Sequence, residues 1–407
     1  MERIQGGVTA AKGFLAAATS AGIKYKNRTD MAMIYSEKPC RAAGTFTTNV
    51  VKAAPVIWDR RVTEEIGRAQ AVVVNSGIAN ACTGQEGFDC CRETAKEVEK
   101  NLHVLADEVL VASTGVIGMQ MPVDRLRAGV RAMVPALDGS VESGHAAAGA
   151  ILTTDTHEKE AAVQFEAGGK TVTLGGMCKG SGMIHPNMCT MLAFLTTDLA
   201  ISEELLREAL RADIADTYNM ISVDGDTSTN DTVLLLANGL AGNEEITEKN
   251  AEYETFCRAL RFVNTQLAKM MAGDGEGATA LLEVKVLHAA SKEAAKALSK
   301  SVVCSSLVKA MIFGHDANFG RILCALGYSG VGFNPDRIDL FFESTSGKML
   351  IFRDGVAVSY SEEEATRILS EPEVTIIADM KMGDAEATAW GCDLSYDYVK
   401  INADYRS

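Results

Sequence analysis

The sequence predicts a mixed α/β chain of the α+β kind. Three observations carry this reading: short alternating or β-branched runs, longer stretches of helical periodicity between them, and Gly-containing turns that join extended segments without regular βαβ alternation. At 407 residues, and about 150 per domain, the chain is long enough for two or three compact units.

Taken in order, Ala71–Asn75, Val109–Ala112, Thr171–Leu174, Thr232–Ala237, Ala280–His288, Ile338–Glu343, Met349–Phe352 and Val374–Ala378 read as strands. Glu86–Leu102, Asp124–Leu137, Glu203–Asn219, Tyr253–Met271, Lys292–Ser301 and Glu362–Leu369 read as helices, with apolar residues recurring at helical spacing. Ser202 before Glu203 and Glu204 is a cap followed by acidic residues that suit the positive end of a helix dipole, and Ser361 with Glu364 has capping-box spacing. Ala167-Gly168-Gly169-Lys170 and Arg353-Asp354-Gly355 sit between extended runs, where Gly supplies the positive φ of tight hairpins.

Composition excludes several classes of function. With 39 Lys and Arg against 54 Asp and Glu, the formal charge of −15 repels phosphate backbones and anionic lipid, so neither nucleic acid nor membrane is an expected partner. No apolar run approaches the roughly 18 residues that span a bilayer, and the expected location is cytoplasmic. Ten cysteines lie singly apart from Cys90-Cys91, which suits reduced buried thiols better than a disulfide ladder. The six histidines are far apart and no zinc pattern occurs, so no metal is expected. There is no GxSxG elbow and no GxGxxG; Lys179-Gly-Ser-Gly182 lacks P-loop order, and Asp224-Gly-Asp226-Thr-Ser228 lacks the glycine and closing glutamate of a calcium loop.

The densest unusual chemistry lies in Gly175–Leu192, where four glycines and one proline precede an apolar run. Such a segment brings backbone N–H groups close to a ligand and holds a hydroxyl at the start of a buried element. Taken alone, it also reads as a Gly-rich connection with methionines packed inside. Likewise Ser113-Thr114-Gly115 after the Val109–Ala112 run also reads as a plain strand-ending turn.

A resemblance separates these readings. KGSGMIHPNMCTMLAFLTTD (Lys179–Asp198) resembles the signature of the ornithine acetyltransferase family, the glutamate N-acetyltransferases of the cyclic route of arginine biosynthesis. The similarity extends in order through GGVTAAKGF (Gly6–Phe14), AAGTFTTN (Ala42–Asn49), VVVNSGIANACTG (Val72–Gly84), ASTGVIG (Ala112–Gly118), ILTTDT (Ile151–Thr156), SVDGDTSTNDT (Ser222–Thr232), GDGEGAT (Gly273–Thr279), DANFGRI (Asp316–Ile322) and the closing WGCDLSYDYVKINADYRS (Trp390–Ser407). It covers essentially the whole chain.

The resemblance implies a layered αββα core like that of self-processing N-terminal-nucleophile proteins. It also implies a precursor that cuts itself at the Cys189-Thr190 bond, leaving an alpha chain of residues 1–189 and a beta chain of 190–407, interwoven and assembled as an α2β2 heterotetramer. Cys189 stands where the family usually has alanine. Thr190 then serves as nucleophile and, through its freed α-amine with a reference pKa of about 7.7–8.0, as base. Thr114 and Gly115 match the family's oxyanion hole. Thr153 (or its neighbour Thr154), Lys179, Thr190, Glu276, Asn402 and Ser407 match its substrate-binding positions, with Lys179 suited to a carboxylate and Glu276 to an ammonium group. Ser407 replaces a frequent threonine, and a site role for it requires an ordered C-terminus.

The implied reaction is transfer of acetyl from N-acetylornithine to glutamate through an acetyl-Thr190 intermediate, releasing ornithine and N-acetylglutamate without metal or organic cofactor. Whether acetyl-CoA also donates is left open by the motifs. Two alternatives stand beside this reading: an N-terminal-nucleophile amidohydrolase or aminopeptidase, which passes the acyl group to water, and an uncleaved, non-catalytic metabolite-binding homologue.

Overall fold

The computed structural model describes residues 1–185 and 191–403. They form two compact units: residues 1–180, 191–218 and 227–267 in the first, and residues 181–185, 219–226 and 268–403 in the second. Each unit joins a β-sheet to its own helices, so the chain is mixed α/β.

Strands of the first unit are β1 (Glu2–Ile4), β2 (Phe14–Thr19), β3 (Met31–Phe46), β4 (Arg68–Asn75), β5 (Val109–Ser113), β6 (Lys159–Ala167), β7 (Lys170–Lys179) and β8 (Leu192–Thr197). After β9 (Ile221–Ser222), which belongs to the second unit, β10 (Thr232–Ala237) completes the set. Among the described residues the sheet order is β1-β6-β7-β8-β10-β3-β4-β5, with β2 paired to the first half of β3. β8 and β10 are parallel, as are β4 and β5, and a helix separates each pair in the chain, Glu203–Ile214 and Gly84–Leu102 respectively. Two parallel crossovers therefore occur inside a largely antiparallel sheet, which the absence of a regular alternation in the sequence had not suggested.

β3 is the longest strand and was not expected. Its middle carries Glu37, Lys38 and Pro39, all exposed, and a proline inside a run argues against a central strand. The fold places that segment where the β3–β4 register breaks, between Tyr35 and Cys40, so Pro39 removes no ladder bond. β2 (FLAAAT) also went unread, because alanine has little strand propensity. Its small side chains receive the Val141–Ala150 helix, whose Ala147, Ala148 and Ala150 are buried.

β5 is an edge strand, and its free side is closed by a helix. Trp58, in the Ala54–Arg61 helix, donates from Nε1 to the Val109 carbonyl at 2.8 Å, and Asp59 Oδ1 accepts from the Val111 N–H at 2.8 Å. Two side chains thus stand in for the missing neighbour strand.

In the second unit β9 joins β11 (Leu281–Ala289), β12 (Asp339–Ser344), β13 (Gly347–Arg353), β14 (Val356–Ala357), β15 (Glu373–Asp379) and β16 (Ala385–Cys392) in the order β14-β13-β12-β15-β11-β16-β9. The Lys292–Cys304 helix packs on β11 and β16 through Ala295, Leu298, Val302 and Val303.

Both expected hairpins are present. Gly168 and Gly169 have φ of 56° and 69° between β6 and β7, and Asp354 and Gly355 have 46° and 84° between β13 and β14. Ser202 Oγ accepts from the Leu205 N–H, and Ser361 Oγ from the Glu364 N–H, as N-caps. Two helices end earlier than expected. The one begun at Val123 gives way after Met133 to a 3-10 turn at Val134–Ala136, where Pro135 can donate no helical hydrogen bond. The one begun at Glu203 stops at Ile214, and the Thr217 hydroxyl takes the Asp213 carbonyl. No helix among the described residues is long and apolar enough to cross a membrane.

Candidate active site

In the first unit, β5 delivers Ser113 into a turn through Thr114, Gly115 and Val116. The turn crosses a second one at Asn75–Ala79: the Thr114 N–H donates to the Asn75 carbonyl (3.0 Å) and the Val116 N–H to the Gly77 carbonyl (3.1 Å). Asn230 binds the two together, its Nδ2 donating to the Ser113 carbonyl at 2.8 Å and to the Ala79 carbonyl at 2.5 Å. Gly115 has φ +130°, and a Cβ there would lie 2.3 Å from the Gly77 carbonyl carbon, so no other residue fits without moving the backbone. Among the described residues the half-buried Gly115 N–H meets no acceptor. A half-buried donor left open by a tight double turn suits a developing oxyanion.

Lys179 closes β7 beside this turn. Its side chain is buried, and Nζ donates to Thr153 Oγ1 at 2.7 Å and to Thr114 Oγ1 at 3.5 Å. Of the two candidate threonines, Thr153 is therefore the one Lys179 meets. Because an ammonium only donates, the Thr114 hydroxyl keeps its own proton for another acceptor.

Asp155 organises the same corner. Its Oδ1 accepts from Lys159 Nζ (2.8 Å) and the Gly180 N–H (2.7 Å), its Oδ2 accepts from the Thr153 N–H (3.1 Å), and Lys179 Nζ lies 3.7 Å away. Burial pushes the Asp155 carboxyl up, but the charges of Lys179 and Lys159 and the bonds from Lys159 and Gly180 outweigh it and hold the group well below the usual carboxylate range. It is ionised.

Glu276 and Asn402 meet in the second unit. The Gly273–Thr279 segment follows the long Ala251–Gly273 helix and is clamped by residues before the last helix: Thr279 Oγ1 donates to Asp393 Oδ2 (2.6 Å) and Ser395 Oγ to the Gly277 carbonyl (2.5 Å). Gly275 and Gly277 permit this approach, since a Cβ on either would lie within 2.7 Å of Cys392 Sγ or the Tyr398 nitrogen. The buried Glu276 is held by its N–H bond to the Ser181 carbonyl (3.0 Å), and its Oε2 accepts from Asn402 Nδ2 at 2.6 Å. Asn402 lies on the Tyr396–Ala403 helix.

Cys189, Thr190 and Ser407 lie outside the described residues. Sequence reasoning missed Asp155, Lys159 and Asn230. Asp155 and Asn230 sit inside the ILTTDT and SVDGDTSTNDT motifs, where neither stands out among so many polar neighbours. Lys159 carried no signal either; its partner is defined only by the turn of the chain.

The chain has relatives that it matches from end to end. The ArgJ family model matches residues 15–407. The arginine biosynthesis bifunctional protein ArgJ of Symbiobacterium thermophilum is 53% identical over 409 residues, and that of Caldanaerobacter subterraneus subsp. tengcongensis 48% over 407, each alignment covering 100% of both chains. A crystal structure of arginine biosynthesis bifunctional protein argJ from Bacillus halodurans is 46% identical, with a TM-score of 0.50, covering 53% of this chain and 99% of that one. With identity near one half sustained from end to end, the chain belongs to the ArgJ family.

Proposed function

We propose that the chain is an acetyltransferase of arginine biosynthesis that moves acetyl from N-acetylornithine to glutamate through an acetyl-Thr190 intermediate. The observation that carries the reading is the Thr114–Gly115 turn with its open N–H and Lys179 at 3.5 Å from the Thr114 hydroxyl. Family membership favours transfer over the hydrolase and non-catalytic alternatives.

On this reading the Thr190 hydroxyl first attacks the Cys189 carbonyl, shifting the acyl group from nitrogen to oxygen, and water releases a chain that begins at Thr190. The freed α-amine then takes the hydroxyl proton as Thr190 attacks the acetyl carbonyl of N-acetylornithine. The Thr114 hydroxyl and Gly115 N–H receive the oxyanion, each donor worth about 2.7–4 kcal/mol. The Thr190 α-ammonium gives that proton to the departing nitrogen of ornithine; the amine of glutamate then attacks the acetyl-Thr190 ester, its proton returning through the α-amine to the Thr190 oxygen, and N-acetylglutamate departs. Lys179 and Thr153 receive the amino-acid carboxylate, while Glu276, with Asn402, meets an ammonium group; Ser407 belongs to the same set. No metal or organic cofactor takes part. The relatives are named bifunctional, and the second activity is acetylation of glutamate from acetyl-CoA.

Topology supports a cut that leaves the fragments together. β7 lies before residue 189 and β8 after it, and β8 and β10 are inserted between β7 and β3. The Bacillus halodurans chain, 99% of it matched by 53% of this one, has the length of such a fragment. The processed protein is an α2β2 heterotetramer of the cytoplasm.

Intact-mass analysis with N-terminal sequencing tests the reading first. Scaling 43.3 kDa by 189/407 and 218/407 gives fragments of roughly 20 and 23 kDa, the larger beginning Thr190-Met191-Leu192. Exchange from N-acetylornithine should then depend on glutamate and show ping-pong kinetics. A rate independent of any acceptor amine would sink the transferase assignment.

A further inference from the structure

Lys159 and Asp155 have fully buried side chains and lie 2.8 Å apart, next to Lys179. One carboxylate therefore stands between two ammonium groups at unequal distances, 2.8 Å and 3.7 Å, and only the nearer is within hydrogen-bond reach. Lys159 is further anchored to the His157 carbonyl at 3.2 Å. Lys179, by contrast, makes its hydrogen bonds to two neutral hydroxyls, Thr153 and Thr114, and meets Asp155 as a longer ion pair at 3.7 Å whose charge also holds that carboxyl down.

We propose that Asp155 and Lys159 are positioning residues for acetyl transfer: Lys159 occupies Asp155, so that Lys179 stays hydrogen-bonded to hydroxyls and keeps its charge available to the α-carboxylate of the substrate. Asp155 sets the geometry, because its two oxygens also hold the Thr153 and Gly180 N–H groups that flank Lys179. Lys159 sets the electrostatics. Without it, the carboxylate closes the 3.7 Å gap onto Lys179, and at a site shielded from water that ion pair competes strongly with an incoming carboxylate. This deepens the acetyl-transfer reading and rests on it.

The test is single-turnover formation of acetyl-enzyme on the purified, processed protein, followed by mass. Two donors are compared: N-acetylornithine, and N-acetylputrescine, which keeps the acetamide and the free amine but lacks the carboxylate. The wild type should prefer N-acetylornithine. Lys159→Met should lower that preference about tenfold, mainly through weaker donor binding, and Lys159→Arg should restore most of it, a pattern that loss of packing would not produce. Lys159→Gln is a second variant read in the same way. An unchanged preference in a folded Lys159→Met or Lys159→Gln protein overturns the proposal, as does failure of both to fold, which would make the pair structural. A wild-type protein that forms no acetyl-enzyme from N-acetylornithine refutes the acetyl-transfer reading instead.

Discussion

At Thr114 and Gly115 two neighbouring residues make different demands on the chain. Gly115 is required by space, since φ +130° and a 2.3 Å approach to the Gly77 carbonyl leave no room for a side chain. On the proposed mechanism Thr114 acts through its hydroxyl, so Thr114→Val, of equal shape, should fold normally and lower kcat by about 10²–10³ fold, as losing one oxyanion donor does. Steady-state kinetics beside a thermal melt checks this. On the same proposal Thr190→Ala removes the nucleophile of both processing and transfer, and should yield one uncut, inactive chain by intact mass. His185 gives a pH expectation. Burial, reinforced by the charge of Lys300 and opposed by Asp226, lowers its pKa to about 4 from an ordinary value near 6.5. Between these values the unfolded chain binds the extra proton and the folded one does not, so stability falls as pH drops from about 6.5 to 4. Urea titrations should show a shallower fall over that window in His185→Gln; an identical slope would mean that His185 is not the group responsible.

The Ala54–Arg61 helix closes the free edge of β5, and β5 is the strand that delivers Thr114. Burial pushes the Asp59 carboxyl well up, only partly offset by its bond from the Val111 N–H, which favours the neutral form. A neutral acid is mimicked by an amide: Asp59→Asn should cost under about 1 kcal/mol, whereas Asp59→Ala strips a partner from a buried N–H and should cost about 1–3 kcal/mol. Trp58→Ala loses the buried ring as well as the bond to Val109, for about 3–5 kcal/mol. Denaturant midpoints of the three variants test the order. If Asp59→Asn were as damaging as Asp59→Ala, the carboxyl would have to be charged.

For the molecule as a whole, the decisive feature is that strands from both sides of the expected cut share one sheet, β8 and β10 lying between β7 and β3. A fragment of residues 1–189 would lack the two strands that join its halves. Expressed separately, fragments 1–189 and 190–407 should therefore be insoluble or unfolded by circular dichroism, while the pair made by processing should remain associated through gel filtration. Fragments that fold alone would contradict the shared sheet.

Much of this was legible beforehand, for reasons tied to particular residues. Thr232–Ala237 and Glu362–Leu369 were read to the residue because a β-branched, apolar run and a serine cap with three glutamates are local signals. The ordered motifs placed the chain near its family, and with it the roles expected of Thr114, Gly115, Lys179 and Glu276. β2 and β3 were not legible, since alanine and an internal proline speak against strands until a helix packs on one and a register break absorbs the other. By itself the sequence determined the local elements, the charge and the kind of chemistry, because these follow from side chains and neighbours in the chain. Only the tertiary structure decided that Asp155 meets Gly180, and that Asn230 ties Ser113 to Ala79, because these bonds join residues 25 to 151 positions apart and depend on strand order.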